Sequence, residues 1–255
     1  MTTSQTTTVG IILAAGKGTR LKSTDRNKTS LLVAGKPLVV YGVELYKQVV
    51  DTIIVVVGAF AQSVKDSITD SVLYVVQDPQ QGTGQALQIA VHSLKTTVPD
   101  ASIVFVGHGD HMMHYTVEIL GTMKELLLKK NAAIVMATTT HPDPNSLAWG
   151  RVICGEDGRV LKIVEQKDAS EKERAVNRIN PAMYCFSAKF LFEYIDTLVP
   201  SPVTGEYYLT DLIEIAVKHN LRVESCEVPF SSVGTGVNTP EQLEQTDKNV
   251  RSAIQ

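Results

Sequence analysis

Apolar runs of strand length punctuate the first 140 residues, at 9–13, 52–57, 73–76, 102–106 and 133–138. They are rich in Val and Ile, which favour a pleated and buried environment. Between several of them the pattern turns helical. One stretch begins at Pro37, a residue suited to a first helical turn, and runs to Gln48. Others cover 84–94 and about 116–130. Strands alternating with helices predict βαβ units and a parallel sheet covered on both faces. Ligands in such sheets gather beyond the carboxyl ends of the strands. The loops after Leu13, Val57, Val76 and Val106 are therefore the places to look for chemistry.

Beyond residue 141 the pattern is different. His141-Pro142-Asp143-Pro144-Asn145 reads as a loop, followed by short β-type pieces at 151–154 and 160–164 around the turn Gly155-Glu156-Asp157-Gly158. The charged segment 168–174 reads as a solvated loop or a single turn of helix. A strand near 182–186, two helices, a strand at 222–228 and a helix after Pro240 complete the chain. The expectation is an α/β fold: a Rossmann-like three-layer sandwich with a mostly parallel mixed sheet and a small β-rich lobe. Residues 1–8 are expected to form a frayed tail and residues 9–255 one domain.

Composition narrows the function classes. Hydrophobic residues make up 44% of the chain and charged residues 20%, as in ordinary globular proteins. A net charge of −3 offers no basic footprint for nucleic acid. No apolar run reaches membrane-spanning length, and the polar first eight residues carry neither the basic nor the apolar region of a signal peptide. Cys154, Cys185 and Cys226 are far apart with no C-x-x-C pair, which fits a reducing, cytoplasmic compartment.

The first strand runs straight into Ala14-Ala15-Gly16-Lys17-Gly18-Thr19-Arg20. Small residues let backbone N–H groups approach a polyanion closely, and Lys17 and Arg20 add charge. The spacing excludes a P-loop, which needs four residues between its glycines, and a dinucleotide fingerprint, which needs a third glycine where Leu21 stands. Arg20, Lys22, Arg26 and Lys28 form a cationic group suited to phosphoryl transfer, where positioning and charge neutralisation do most of the work. After the third strand, Gln77 offers a donor and an acceptor for a base edge, and Gly82-Thr83-Gly84 opens a helix whose free N–H groups favour an anion or carbonyl. After the fourth, Gly107-His108-Gly109-Asp110-His111-Met112-Met113-His114 places an aspartate where a hard cation could bind. The same segment matches a dizinc H-x-H-x-D-H signature except that Val106 replaces the first histidine, so zinc at His108, Asp110 and His111 is the weaker reading.

These motifs in order resemble those of the sugar-1-phosphate nucleotidyltransferases: Leu13-Ala14-Ala15-Gly16-Lys17-Gly18-Thr19-Arg20, Ala34-Gly35-Lys36-Pro37, Gln81-Gly82-Thr83-Gly84 and Gly109-Asp110. Later segments are similar to the uridyltransferase domain of bifunctional N-acetylglucosamine-1-phosphate uridyltransferase/glucosamine-1-phosphate acetyltransferase. They are Gly150-Arg151-Val152, 163–169, 205–211 and Gly236-Val237-Asn238. The resemblance spans residue 9 to about 245, and no hexapeptide repeat of an acetyltransferase follows. It implies a nucleotide-diphospho-sugar transferase fold, with a nucleotide-binding part at about 9–140 and a sugar-binding part at about 141–240.

The resemblance also assigns residues. Leu13, Ala14, Ala15, Gly16, Lys17, Gly18, Gln77, Gly82 and Thr83 would hold the nucleotide, and Arg20 and Lys28 would act on the triphosphate. Gly150, Glu165, Asn180, Tyr208 and Thr210 would line the sugar phosphate, and Asp110 and Asn238 would hold Mg²⁺. The implied reaction joins UTP and a sugar 1-phosphate, N-acetylglucosamine 1-phosphate in the first instance, into UDP-sugar and pyrophosphate. Another nucleotide and sugar pair (glucose 1-phosphate, CTP or dTTP), a zinc hydrolase and a non-catalytic UDP-sugar sensor remain as alternatives. The sequence departs from the family at Arg26-Asn27-Lys28 in place of Leu-Pro-Lys, at His111-Met112-Met113 after Asp110, at Pro181-Ala182 after Asn180, and at Trp149 where Tyr is usual.

Overall fold

The computed structural model describes residues 6–18, 21 and 25–254. In chain order its elements are β1 (Thr8–Ala14), β2 (Leu32–Val33), β3 (Lys36–Pro37), α1 (Leu38–Tyr46), β4 (Thr52–Val57), α2 (Ala61–Ser67), β5 (Leu73–Val76), α3 (Thr83–Leu94), β6 (Ile103–His108) and α4 (Val117–Lys130). There follow β7 (Ile134–Thr140), β8 (Arg151–Cys154), β9 (Val160–Val164), α5 (Glu171–Arg174), β10 (Arg178–Ile179), β11 (Met183–Ser187), α6 (Ala188–Tyr194), α7 (Asp211–Lys218), β12 (Val223–Glu227) and α8 (Pro240–Ile254). Short 3-10 turns lie between some of them, the most consequential at Lys28–Ser30.

One sheet runs through the molecule in the order β5-β4-β1-β6-β11-β7-β10-β8-β9, with β12 also paired to β7. β5, β4, β1 and β6 are mutually parallel, whereas β11 inserts antiparallel between β6 and β7. This is the mixed, mostly parallel sheet of a nucleotide-diphospho-sugar transferase fold. The β-rich lobe, β10-β8-β9, is an antiparallel extension of the same sheet, joined through β10 to β7.

Alternation along β1 explains the three layers. Val9, Ile11 and Leu13 point into one core with Leu87 and Val91 of α3 and Leu212 and Ile213 of α7. Ile12 and Ala14 point into the other with Val39 and Val43 of α1 and Leu120 and Met123 of α4. Successive side chains of a strand face opposite ways, so a continuous apolar run needs cover on both sides. Each fully buried Ile or Leu contributes about 1.5–3 kcal/mol of transfer free energy. Gly10 is the exception in this run: a Cβ there would lie 2.3 Å from the ring of buried Tyr46.

The differences from the sequence reading are local. β1 starts at Thr8, which is buried and whose N–H donates to Asp51, so the expected tail is one residue too long. α2 has no apolar periodicity because only Val64 of its seven residues is buried. The charged segment yields the single helical turn α5, closed by a Ser170–Glu173 capping box. No helix among the described residues is long and apolar enough to cross a membrane.

Candidate active site

The parallel arrangement brings the loops after β1, β4, β5 and β6 to one edge of the sheet. Leu13 stands in register with His108, and the Gly109 N–H donates to the Leu13 carbonyl at 3.0 Å. The glycine loop and the histidine-rich loop therefore leave the sheet side by side. Ala14 and Ala15 are buried, while Gly16 and Lys17 are exposed beyond them. Arg20 and Lys22 lie outside the described residues, and Arg26 pairs with Asp25 at an exposed position.

Lys28 connects these loops to the far end of the chain. Its ammonium donates to Asp110 Oδ2 and, at 2.9 Å, to Asn238 Oδ1. Asp110 follows β6, and Asn238 reaches it through the loop after β12, pinned by the Val237 N–H on the Asp110 carbonyl (3.2 Å). Asn238 is itself anchored where its N–H donates to Gln242 at the start of α8. Burial pushes the Asp110 carboxyl up, but Lys28 and His108 more than reverse this and hold it below the usual carboxylate range. One carboxylate oxygen and one amide oxygen thus share a single cation. The donor set is hard and compact, suited to Mg²⁺ or Mn²⁺.

The zinc reading does not survive the geometry. Among the described residues no three His, Cys, Asp or Glu side chains are grouped to hold a metal. The His111 ring turns away from that role: Nε2 lies 3.1 Å from the Gly234 carbonyl, and the ring packs 4.6 Å from Trp149. Burial pushes its pKa down to about 4, so it is neutral near pH 7. His114 packs against Gly234, where a Cβ would come within 2.3 Å of its ring. His111 and His114 support the loop that delivers Asn238.

The loop after β5 docks on the segment that leads into α7. Gly82 adopts φ +105°, and a Cβ there would meet the Tyr207 carbonyl at 2.4 Å, so only glycine fits both the conformation and the space. The Gly84 N–H donates to that carbonyl (2.7 Å), and the Leu209 N–H donates to the Thr83 hydroxyl (3.2 Å). Gln77 is buried, with Nε2 donating to the Gly82 carbonyl (2.9 Å) and to Gln85 Oε1 (2.7 Å). Its amide nitrogen and the Thr83 hydroxyl thus shape the loop itself.

In the later part of the chain, Thr210 donates to Glu165 at 2.9 Å, and the Asn180 N–H donates to the Gly150 carbonyl at 3.0 Å. A Cβ on Gly150 would come 2.6 Å from Ile163 and 3.5 Å from Glu165. Burial raises the Glu165 pKa, against the opposing Thr210 hydrogen bond. Asn180 spends both ends of its amide, donating to Tyr184 Oη (2.6 Å) and accepting from the Ala182 N–H (3.1 Å). The Tyr208 hydroxyl lies 2.7 Å from Thr204 Oγ1.

Two residues that the sequence names only as members of longer segments, without a role, have structural consequences at the site. Asn27 is fully buried, caps the turn that presents Lys28 and bonds to two flanking loops. An Asn beside a polar run is the only signal, and caps of this kind are common. Arg151 is also fully buried; it donates to the carbonyls of Trp149, Pro144 (2.9 Å) and Arg174 (3.3 Å) and to Asn145 Oδ1 (3.1 Å). It fixes the loop that ends at Gly150, and an arginine in a short β-type run gives no hint of burial.

Comparison with known proteins agrees with this architecture. The chain is 39% identical over 248 residues to the bifunctional protein GlmU of Latilactobacillus sakei subsp. sakei (strain 23K), covering 96% of this chain and 52% of that protein. It is 37% identical over 248 residues to the GlmU of Acetivibrio thermocellus, with the same coverage. The chain spans about half the length of these curated relatives. The fold matches a crystal structure of a Bacillus anthracis protein assigned as a glucose-1-phosphate thymidylyltransferase, solved with sucrose, with a TM-score of 0.77, 24% identity, and coverage of 96% and 95% of the two chains. The model of the MobA-like NTP transferase domain matches residues 10–193. With that match over most of the glycine-loop half and the lobe, the chain belongs to the MobA-like NTP transferase family of nucleotidyltransferases.

Proposed function

We propose that this chain is a magnesium-dependent uridylyltransferase that joins UTP to a sugar 1-phosphate, N-acetylglucosamine 1-phosphate in the first instance, releasing pyrophosphate. The observation that carries the reading is the Lys28 ammonium seated between Asp110 and Asn238 at the carboxyl end of β6. Two oxygen ligands from distant segments are already gathered around one positive charge. Asp110 and Asn238 would hold Mg²⁺, which commonly takes only one or two protein oxygens and completes its shell with phosphate and water. Bound there, the metal supplies charge neutralisation on the phosphates.

The sugar phosphate oxygen is already anionic and needs no general base. It attacks the α-phosphorus in line, forms the new P–O bond, and pyrophosphate leaves with the electrons of the bond that breaks. The protein's task is to bring two polyanions together and offset their repulsion. Lys28 supplies a cation that can turn from its two oxygen partners to the triphosphate. The exposed Gly16-Lys17 backbone offers close approach, and Glu165 with Thr210 offers polar groups to the sugar.

The test is pyrophosphate release with Mg²⁺, using UTP, CTP and dTTP against N-acetylglucosamine, glucose and galactose 1-phosphates. The reading expects release that requires both substrates and is greatest with UTP and N-acetylglucosamine 1-phosphate. Tight UDP-sugar binding without turnover on any pair would instead make the chain a sensor.

A further inference from the structure

Every polar atom of Asn27 is engaged, and its partners lie on three separate segments. Nδ2 donates to the Gly16 carbonyl (3.0 Å) in the glycine loop and to the Ala59 carbonyl (2.9 Å) in the loop after β4. Oδ1 accepts from the Thr29 N–H (2.9 Å) and the Thr29 hydroxyl (2.8 Å). Its backbone N–H donates to Ser63 Oγ (2.8 Å) in α2, and its carbonyl accepts from Ser30 (Oγ at 2.7 Å, N–H at 3.1 Å). The next residue is Lys28. A side chain so placed fixes where the lysine backbone sits relative to the glycine loop, leaving only the lysine stem to adjust. Gly18 reinforces this arrangement, since a Cβ there would lie 3.0 Å from Lys28 Cβ.

We infer that Asn27 is a positioning residue: its amide ties the glycine loop and the loop after β4 to the Lys28 turn and so sets the ammonium against Asp110 and Asn238. The bonds divide the work. The Oδ1 contacts to Thr29 build the turn locally, as any good cap would. The Nδ2 contacts to Gly16 and Ala59 bridge between segments, and they are the part that a merely local role does not require. The inference rests on the proposed function for its catalytic consequence but not for its structural content, and the experiment separates the two.

The structural arm is lysine footprinting: brief labelling with an amine-reactive reagent, read residue by residue by mass spectrometry. In the wild type, Lys28 is shielded in its ion pair, whereas Lys36 and Lys47 are more open. Asn27→Ala should raise Lys28 labelling by about tenfold as the turn opens locally, with Lys36 and Lys47 unchanged. Asn27→Asp, which keeps the acceptors for Thr29 but cannot donate to Gly16 and Ala59, should behave like the alanine variant. Thr29→Val, which removes only the local hydroxyl contact, should not. Unchanged Lys28 labelling in Asn27→Ala or Asn27→Asp overturns the inference. So does a uniform rise at all three lysines, which would mark general loosening of the fold.

The catalytic arm is a double-mutant cycle in the pyrophosphate assay. If Asn27 acts through Lys28, Asn27→Ala should lower kcat by about tenfold in the wild-type background and by less than about twofold beside Lys28→Met. Equal factors in the two backgrounds contradict the inference. If the wild-type chain transfers no nucleotide to any acceptor, the proposed function fails, and the footprint alone decides the role of Asn27.

Discussion

Around Lys28, polar side chains from segments 82 and 210 residues away meet one another, whereas around Asn180 they mostly meet the scaffold. In the first region an ammonium, a carboxylate and an amide oxygen face each other at the edge of the sheet. In the second, the Asn180 amide is consumed by Tyr184 and Ala182, the Tyr208 hydroxyl contacts Thr204, and Gly150 is held by Arg151 through its neighbouring loop. The difference separates two ways of serving the proposed reaction. In that reading the Lys28 region supplies charge that can be redistributed when phosphates arrive, and the Asn180 region supplies a shape. Substitutions in the first should strike turnover, and those in the second should strike acceptor recognition and stability together.

The largest effect should come from Lys28→Met, which keeps most of the stem and removes the charge. Turnover should fall by about 10²–10³-fold, as for other lost preorganised electrostatic contacts. The same variant should bind free Mn²⁺ more tightly than the wild type in the absence of nucleotide, because the ammonium no longer competes for Asp110 and Asn238. Titration followed by the electron paramagnetic resonance signal of free Mn²⁺ measures this directly. Weaker Mn²⁺ binding by the variant would break the picture of a shared cation site.

Asn180→Ala should cost less turnover and more structure. Its loss leaves the buried Tyr184 hydroxyl without its partner, a penalty of about 1–3 kcal/mol visible in denaturant unfolding. The Michaelis constant for the sugar phosphate should rise more than kcat falls. A variant of unchanged stability whose kcat alone collapses would place Asn180 with the charge-bearing group.

The smallest effect concerns Asp211, the first residue of α7 and the neighbour of Thr210. Burial raises its pKa to about 6 from 3.8, reinforced by Glu214 and Asp168 and opposed by Lys218. The neutral acid is the form that suits the fold, so this contribution is complete below about pH 4 and is lost as pH rises through about 6. Asp211→Asn should therefore stabilise the protein at pH 8 by about 1 kcal/mol after allowance for solvent screening, or about 2–4 °C in Tm. The gain should shrink toward pH 4. A pH-independent shift in melting temperature would show that the carboxyl charge is not the cause.

The layers were legible because strands buried on both faces must be written as continuous apolar runs, as in β1, β4 and β6. β4, β5, β8 and β9 match the expected bounds residue for residue. α2 left no trace, since one buried valine makes no pattern. At the candidate site, motif resemblance singled out Lys28, Asp110 and Asn238, and the fold brings these three into contact over long separations. The roles of Asn27 and Arg151 stayed hidden for a physical reason: they rest largely on hydrogen bonds to backbone carbonyls, and a carbonyl has no side-chain identity to read. The zinc alternative arose because sequence proximity of His108, Asp110 and His111 says nothing of where their rings turn, and His111 turns to Gly234.

The most direct test of the shared cation site is the initial rate of pyrophosphate release for the wild type and Asp110→Asn, side by side, as Mg²⁺ is raised from none to saturation. The amide is nearly isosteric with the carboxylate and removes one negative charge. The account predicts a wild-type rate that requires Mg²⁺ and a variant at least about 10²-fold slower even at the highest concentration. A variant that reaches the wild-type rate at saturating Mg²⁺ would contradict it.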